Sequence, residues 1–405
     1  MMSADDQTAR SPWITVWFSP RPTIERLVAG PPIHLVWLLA ILGMIATIYQ
    51  QVALAGAADL LRDWMFVLGL LLLGAIVGIV SLYLQAIVLG WIGRWLGGKA
   101  TALQIRTVFA WSMLPIIVSS AIVLIIRTAT ERSAMASGAA AVLSLIFSVW
   151  SLTIFLLMLG RVERFGFWRT ISTYLLAVVL LALGVAFFVR SFVYQSFNVP
   201  SSSMRPTLVI GDYFFVSKFA YGYSRFSLPF SPALFSGRVL SSRPAPGDVV
   251  VFRHPKDTAT DYVKRIVGLP GDRIQMQQGQ LYINDAPVKR ERLADVIDDG
   301  ACGSASGASV KRWRETLPNG ASYETLDCLD NGFLDNTAVF AVPDGHFFAL
   351  GDNRDNSTDS RVSQFGPVPF ENLIGRVSLI FFSYDVGSAG TAAHVRTERT
   401  GIAVR

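Results

Sequence analysis

The sequence predicts a membrane α-helical bundle of five spans followed by a mainly antiparallel β domain. Five uncharged apolar stretches, all before residue 190, are long enough to cross a bilayer. From residue 197 the pattern changes to short alternating segments separated by turn residues, which is how strands without intervening helices read. The charge divides at nearly the same place. Residues 1–190 hold 13 Lys/Arg against 7 Asp/Glu and the remainder 22 against 22, so the net +6 belongs to the apolar half. At 52% hydrophobic and 16% charged, the chain is too apolar for disorder or for a purely soluble protein. Its basicity therefore reads as membrane topology, with no nucleic acid as partner.

The five stretches are residues 33–49, 64–93, 108–126, 139–159 and 173–189. Lipid offers no partner to backbone N–H and C=O groups, so each should be helical, with Pro115 kinking the third. The second covers 30 residues, about 45 Å of helix against ~30 Å of hydrocarbon, and should tilt, kink near its glycines or run on along the surface. The first stretch follows Asp5 and Asp6 and leads straight into further spans, so it is expected to remain as an anchor rather than be cleaved.

Orientation follows from the basic residues near the spans. Arg10, Arg21, Arg26, Arg94, Lys99, Arg106, Arg161, Arg164 and Arg169 fall on one side, and Arg62, Arg127 and Arg132 on the other. Nine against three places the N-terminus in the cytoplasm, and five crossings deliver the polar half to the opposite, outer face of the membrane. With no Asp, Glu or Lys inside the apolar stretches, the bundle reads as an anchor or docking surface rather than an ion-coupled transporter. Residues 19–32 (SPRPTIERLVAGPP) and 96–115 (LGGKATALQIRTVFAWSMLP) loosely resemble the Yip-type multi-spanning membrane domain.

In the polar half, DYFFVSKF, GDVVVFRHP, DYVKRIVGLPGD and QLYINDAPVK read as strands, the last with Asn-Asp at a hairpin, and ETLPNGASY adds a turn. Residues 300–309 look like a surface loop, and residues 290–340 as a whole resist assignment. The chain has no HExxH, GxSxG or GxxxxGK[ST], and its four histidines are His34, His254, His346 and His394, which removes the parts for zinc hydrolysis and nucleotide chemistry. The acidic run GDNRDNSTDSR (residues 351–361) suggests calcium, but its third loop position counted from Asp352 is Arg354 and the EF-hand glycine is missing. Neither a metal nor a cofactor is expected. Cys302 and Cys328 can make one disulfide at most; closing their 26-residue separation in an oxidising compartment would stabilise by roughly 3–4 kcal/mol.

What remains is PSSSMRPTL (residues 200–208), directly after the last span, and a lysine inside an apolar strand. A serine needs a base to act as a nucleophile. Strand alternation puts Lys264 on one face with Tyr262 and Ile266, and Val263, Arg265 and Val267 on the other. A lysine buried there loses hydration, which penalises its charged form and makes it able to accept a proton near neutral pH. Taken alone, a serine cluster is usually a turn and a strand lysine usually a solvated edge.

Four ordered blocks settle the comparison: PSSSMRPTLVIGDYFFVSKFAYG (residues 200–222), PGDVVVFRHP (246–255), DYVKRIVGLPGD (261–272) and VPDGHFFALGDNRDNSTDSR (342–361). Over roughly residues 190–385 the chain resembles signal peptidase I, the Ser-Lys leader peptidase family. The resemblance implies a membrane-bound serine endopeptidase that removes signal peptides from secretory preproteins after Ala-x-Ala-like sites, with membrane lipid and the secretion translocon as further partners. By position it makes Ser203 the nucleophile and Lys264 the general base, with the Ser203 N–H and Ser201 hydroxyl at the oxyanion. Ser357 would orient the lysine, and Asp359 with Arg361 would brace the site. Val199, Pro200, Met204, Leu208 and Tyr262 would border the first substrate pocket, and Phe197, Phe214, Val251 and Val263 the third. Ser202 stands where relatives often carry glycine.

The expected organisation is a Yip-like domain with four spans (1–172), a fifth helix and link (173–195), an exported peptidase domain (196–390) and a tail (391–405). Ser203 follows the fifth span by only 14 residues, which keeps it near the bilayer surface where a leader's cleavage site emerges. Two rivals are weighed against this reading. A LexA-like self-cleaving repressor shares Ser-Lys chemistry but lacks membrane spans and carries a DNA-binding helical domain. An inert membrane scaffold would have no use for both Ser203 and Lys264.

Overall fold

The computed structural model describes residues 11–404 apart from 31–32, 56, 130–133, 298–301, 303–306, 308 and 386–392. The chain divides into two units, Met1–Gly184 and Val185–Arg405. The surface loop expected at residues 300–309 lies largely outside the described residues, as does the acidic start at Asp5 and Asp6.

The first unit is helical. Two short helices, α1 (Pro12–Phe18) and α2 (Pro20–Ala29), precede α3 (Ile33–Leu54), α4 (Trp64–Trp95), α5 (Ala102–Ser112), α6 (Leu114–Ala129), α7 (Ala134–Glu163) and α8 (Phe167–Phe188). Five segments are long and apolar enough to span a membrane: Leu35–Leu54, Trp64–Trp95, Ala102–Arg127, Ser137–Glu163 and Phe167–Val193. Lipid-facing side chains such as Leu72, Ile76, Ile87, Leu145 and Leu183 are exposed, as a helix surface solvated by hydrocarbon requires.

One local feature narrows the sequence reading and another departs from it. The second span is one uninterrupted 32-residue helix, without a break at its glycines. Gly74 and Gly78 serve contact instead: a Cβ at Gly78 would meet Ala40 O and Ile41 Cα at 2.9 Å, and one at Gly74 would meet Ile45 Cγ1 at 2.5 Å. The Gly-x-x-x-Gly spacing brings the backbones of α3 and α4 together. Pro115, in turn, divides the third span rather than kinking it. The helix stops at Ser112, Met113 closes it through a bond to Ala110 O, and Pro115 sits in the first turn of α6, where its missing N–H costs nothing. Some polar side chains inside the unit pair with one another or with backbone: Gln50 donates to Ser119 Oγ at 2.6 Å and Ser151 to Ser112 O at 2.6 Å. Glu163, buried at the end of α7, accepts the Ala100 N–H at 3.1 Å.

The second unit is built on β1 (Tyr194–Asn198), β2 (Asp212–Ser217), β3 (Val249–Arg253), β4 (Asp261–Gly268), β5 (Arg273–Gln277), β6 (Gln280–Ile283), β7 (Ala286–Pro287), β8 (Lys289–Arg292), β9 (Val296–Ile297), β10 (Ser309–Thr316), β11 (Ser322–Asp327), β12 (Phe340–Ala341), β13 (His346–Leu350), β14 (Val368–Pro369), β15 (Leu373–Asp385) and β16 (His394–Val395). The main sheet runs β1-β2-β15-β3-β4-β13-β14, with β16 on β15. Two small sheets, β12-β5-β6-β7 and β11-β10-β8 with β9 on β10, complete it, and the strand pairings are antiparallel. The Asn-Asp hairpin is real: Ile283 pairs with Ala286 while Asn284 and Asp285 take φ of 54° and 66°, the two left-handed residues of a tight turn. Residues 290–340, where the sequence offered only the ETLPNGASY turn, supply β10 and β11, joined by that turn with Gly320 at φ +87°.

Candidate active site

The loop from Val199 to Gly211 connects β1 to β2 and carries the serine cluster. Val199 N–H donates to Asp212 O at 2.9 Å and Gly211 N–H to Val199 O at 3.3 Å, which closes the loop at its base. Val199, Met204 and Leu208 point into an apolar cluster with Phe214, Val251, Ile374 and Val377, and Phe197 and Val263 pack at its edge. Burying these side chains fixes the polar residues between them. Ser202 and Ser203 are buried, whereas Pro200 and Ser201 are exposed.

Lys264 enters from the middle of β4, opposite Val250 on β3. Its side chain is only 3% exposed. The Nζ donates to Ser203 Oγ at 2.7 Å and to Val263 O at 3.0 Å, and lies 5.6 Å from the centre of the Tyr262 ring. Burial pushes the amine down to about 8. The carboxylates of Asp359 and Asp352 pull it up and Arg361 pushes it further down, but desolvation dominates. Ser201 Oγ is 3.3 Å from Ser203 Oγ.

The polar run 351–361 closes over this pair from the end of β13. Asn353 N–H donates to Ser203 O at 3.1 Å, and Asn356 Nδ2 to Ser202 Oγ at 2.8 Å. Gly351 is where the two loops touch: a Cβ there would meet Ser357 Oγ at 2.2 Å and Ser203 O at 2.6 Å. Asp359, fully buried, accepts the Gly351 N–H and a two-point contact from Arg361 at 2.9 and 2.8 Å. Burial alone would raise its carboxyl; the Arg361 guanidinium outweighs this and holds it below the usual range. Ser357 is buried beside Gly351, and its hydroxyl lies near the Asp359 carboxylate, which it helps to hold down, rather than on Lys264.

Of the pocket residues, Phe197, Val199, Met204, Leu208, Phe214, Val251 and Val263 gather in one cluster. Tyr262 does not join them: it packs with Val250, Phe252 and Phe365 on the neighbouring core, 5.1 Å from the Phe365 ring. Cys302 and Cys328 form a disulfide.

Sequence reasoning missed the charges behind the lysine. Arg265 is 1% exposed and grips Asp352 through Nε and Nη2 at 2.8 and 2.7 Å, while Thr207 Oγ1 donates to Asp352 at 2.5 Å. Arg354 pairs with Glu315 of β10 at 2.5 Å, and Arg361 donates to Arg354 O at 2.6 Å. The alternating strand placed Arg265 opposite Lys264, but nothing local signals a buried partner 87 residues away.

A serine hydroxyl hydrogen-bonded to a buried lysine therefore sits at the edge of an apolar cluster on an antiparallel β scaffold. The signal peptidase, peptidase S26 family matches residues 172–382, and the chain belongs to that family of serine endopeptidases, whose activity is signal-peptide removal. The Yip1 domain matches residues 14–189, so the two matches overlap on the fifth span. The signal peptidases I of Rickettsia typhi and Rickettsia conorii are each 42% identical over 207 residues, 49% of this chain and 76% and 75% of theirs. The crystal structure of a signal peptidase I from Enterococcus faecalis is 26% identical, with a TM-score of 0.20, over 33% of this chain and 97% of that one.

Proposed function

We propose that this chain is a membrane-bound signal peptidase I that cuts exported preproteins after small, Ala-x-Ala-like sites, with Ser203 as nucleophile and Lys264 as general base. The observation that carries the reading is the 2.7 Å contact between Lys264 Nζ and Ser203 Oγ, made where both groups are buried. With its amine held to about 8, Lys264 is neutral in a usable fraction of molecules near pH 7.5.

Neutral Nζ takes the Ser203 proton as Oγ attacks the scissile carbonyl. The Ser203 N–H and the Ser201 hydroxyl face the developing oxyanion, each donor being worth ~3 kcal/mol. The lysine ammonium then protonates the departing amine, and the same amine activates water to release the acyl group. With its lone pair on Ser203 and one N–H on Val263 O, the neutral amine has one N–H left to meet Ser357, which is buried against Gly351. Asp359 and Arg361 position the run that holds Ser203 O, while Asp352 and Arg265 hold the loop through Thr207. The apolar cluster of Val199, Met204, Leu208, Phe214 and Val251 beside the serine loop supports an apolar binding surface there, and the preference for small side chains rests on the family.

The excess of Arg and Lys on one side of the spans supports a cytoplasmic N-terminus and a catalytic unit on the outer face of the inner membrane, where translocated preproteins emerge. The test is cleavage of a synthetic preprotein by wild type, Ser203→Ala and Lys264→Ala. Both variants should fall to background while remaining folded; equal product from all three would reject the dyad.

A further inference from the structure

An open cavity lies at the arginine-rich end of the helical unit. About 860 Å³ is bordered by α2, the last turns of α7 and the start of α8. Its walls are Leu156, Leu157, Phe167 and Ile171, and its rim carries Arg21, Arg161 and Arg164 with Glu25. These charges are unequal. Arg161 is satisfied by Glu25 at 2.5 Å, whereas the side chains of Arg21 and Arg164 have no hydrogen-bond or ion-pair partner among the described residues. Arg164 also sits at φ 59°, in the left-handed position after α7 that glycine or asparagine usually takes, with Phe165 N–H capping Gly160 O at 2.8 Å. The backbone conformation is one an arginine adopts at a cost, and the result is a guanidinium at the cavity mouth. The first turn of α8, at Phe167, adds the positive end of a helix to the same opening.

An occupant must offer anionic oxygens to two guanidinium forks and hydrocarbon to four apolar walls. A cation is repelled, and a soluble phosphate leaves the walls wet. We propose that this cavity binds an anionic phospholipid, with Arg21 and Arg164 holding the headgroup phosphate and Leu156, Leu157, Phe167 and Ile171 receiving the first acyl methylenes. The site belongs to the Yip1 portion of the chain and is independent of the Ser203 and Lys264 chemistry.

The test uses the full chain in detergent, exchanged against phosphatidylglycerol or phosphatidylcholine and read by native mass spectrometry. Wild type should retain phosphatidylglycerol preferentially. Arg21→Gln and Arg164→Gln should each weaken that retention about fivefold. Arg169→Gln, which removes an exposed charge that does not line the cavity, should leave it unchanged, and preprotein cleavage by all three variants should match wild type. Equal retention of the two lipids by wild type would overturn the proposal. So would an equal loss in Arg169→Gln, which would mean general surface charge. Competition by inorganic phosphate as effective as that by phosphatidylglycerol would overturn the lipid assignment in favour of a free anion.

Discussion

Lys264 and Arg265 are consecutive, both buried, and treated oppositely by the fold: Arg265 is closed on Asp352 at 2.7 Å, while Lys264 meets a serine hydroxyl and a backbone carbonyl. A guanidinium stays charged in proteins and so demands a buried carboxylate, whereas a lysine amine can shed its proton when desolvated. Strand alternation separates the two side chains onto opposite faces, so one carries structure and the other is left available as a base.

Gly351 should not tolerate a side chain. A methyl group there overlaps Ser357 Oγ and Ser203 O, so Gly351→Ala is expected to displace the serine loop and lower kcat about 100-fold. The chain should still fold, at an overpacking cost of about 1–3 kcal/mol. Cleavage kinetics beside a thermal inactivation curve check this; wild-type kcat would show that the two loops do not need their close approach.

The C-terminal segment should stabilise the serine loop from outside. Arg399 contacts both oxygens of fully buried Asp212 at 2.9 and 2.6 Å and also Thr207 O at 3.0 Å. Asp212 in turn caps Val209 N–H. Arg399→Ala removes the counter-charge of that buried carboxylate and should cost about 3–5 kcal/mol, seen as a lower temperature of half-inactivation. Adding Asp212→Asn should recover part of the loss; strictly additive losses would show that the pair is not coupled.

Removal of the disulfide by the double substitution Cys302→Ser and Cys328→Ser should destabilise by roughly 3–4 kcal/mol, from the 26-residue loop it closes. Neither sulfur touches the dyad, so kcat below the inactivation temperature should stay at the wild-type value. A large fall in kcat would place the bridge in the catalytic machinery.

Periodicity made the spans and strands legible because each rests on a local rule. Five apolar runs, the Asn284-Asp285 turn and the alternation through Tyr262 to Ile266 are properties of neighbouring residues. The break at Met113 is also local, but it depends on whether Pro115 begins a helix or sits within one. What escaped depends on distance. Glu315 meets Arg354 across 39 residues and Arg265 meets Asp352 across 87, so no window of sequence pairs them. The space that keeps Gly351 bare exists only once β13 and the serine loop are brought together.

The central claim is that neutral Lys264 removes the Ser203 proton, and the pH dependence of kcat/KM tests it most directly. Below a pKa of about 8 the amine is protonated and cannot accept, so activity should rise through that pH and level off above it. Lys218, bonded to Ser227 O and also pushed by burial to about 8, is the other group that would give such a curve. Lys218→Met should therefore keep the inflection, and Lys264→Ala should abolish activity at every pH. A flat profile from pH 5 to 9 with the protein folded, or an inflection that disappears in Lys218→Met, would contradict the account.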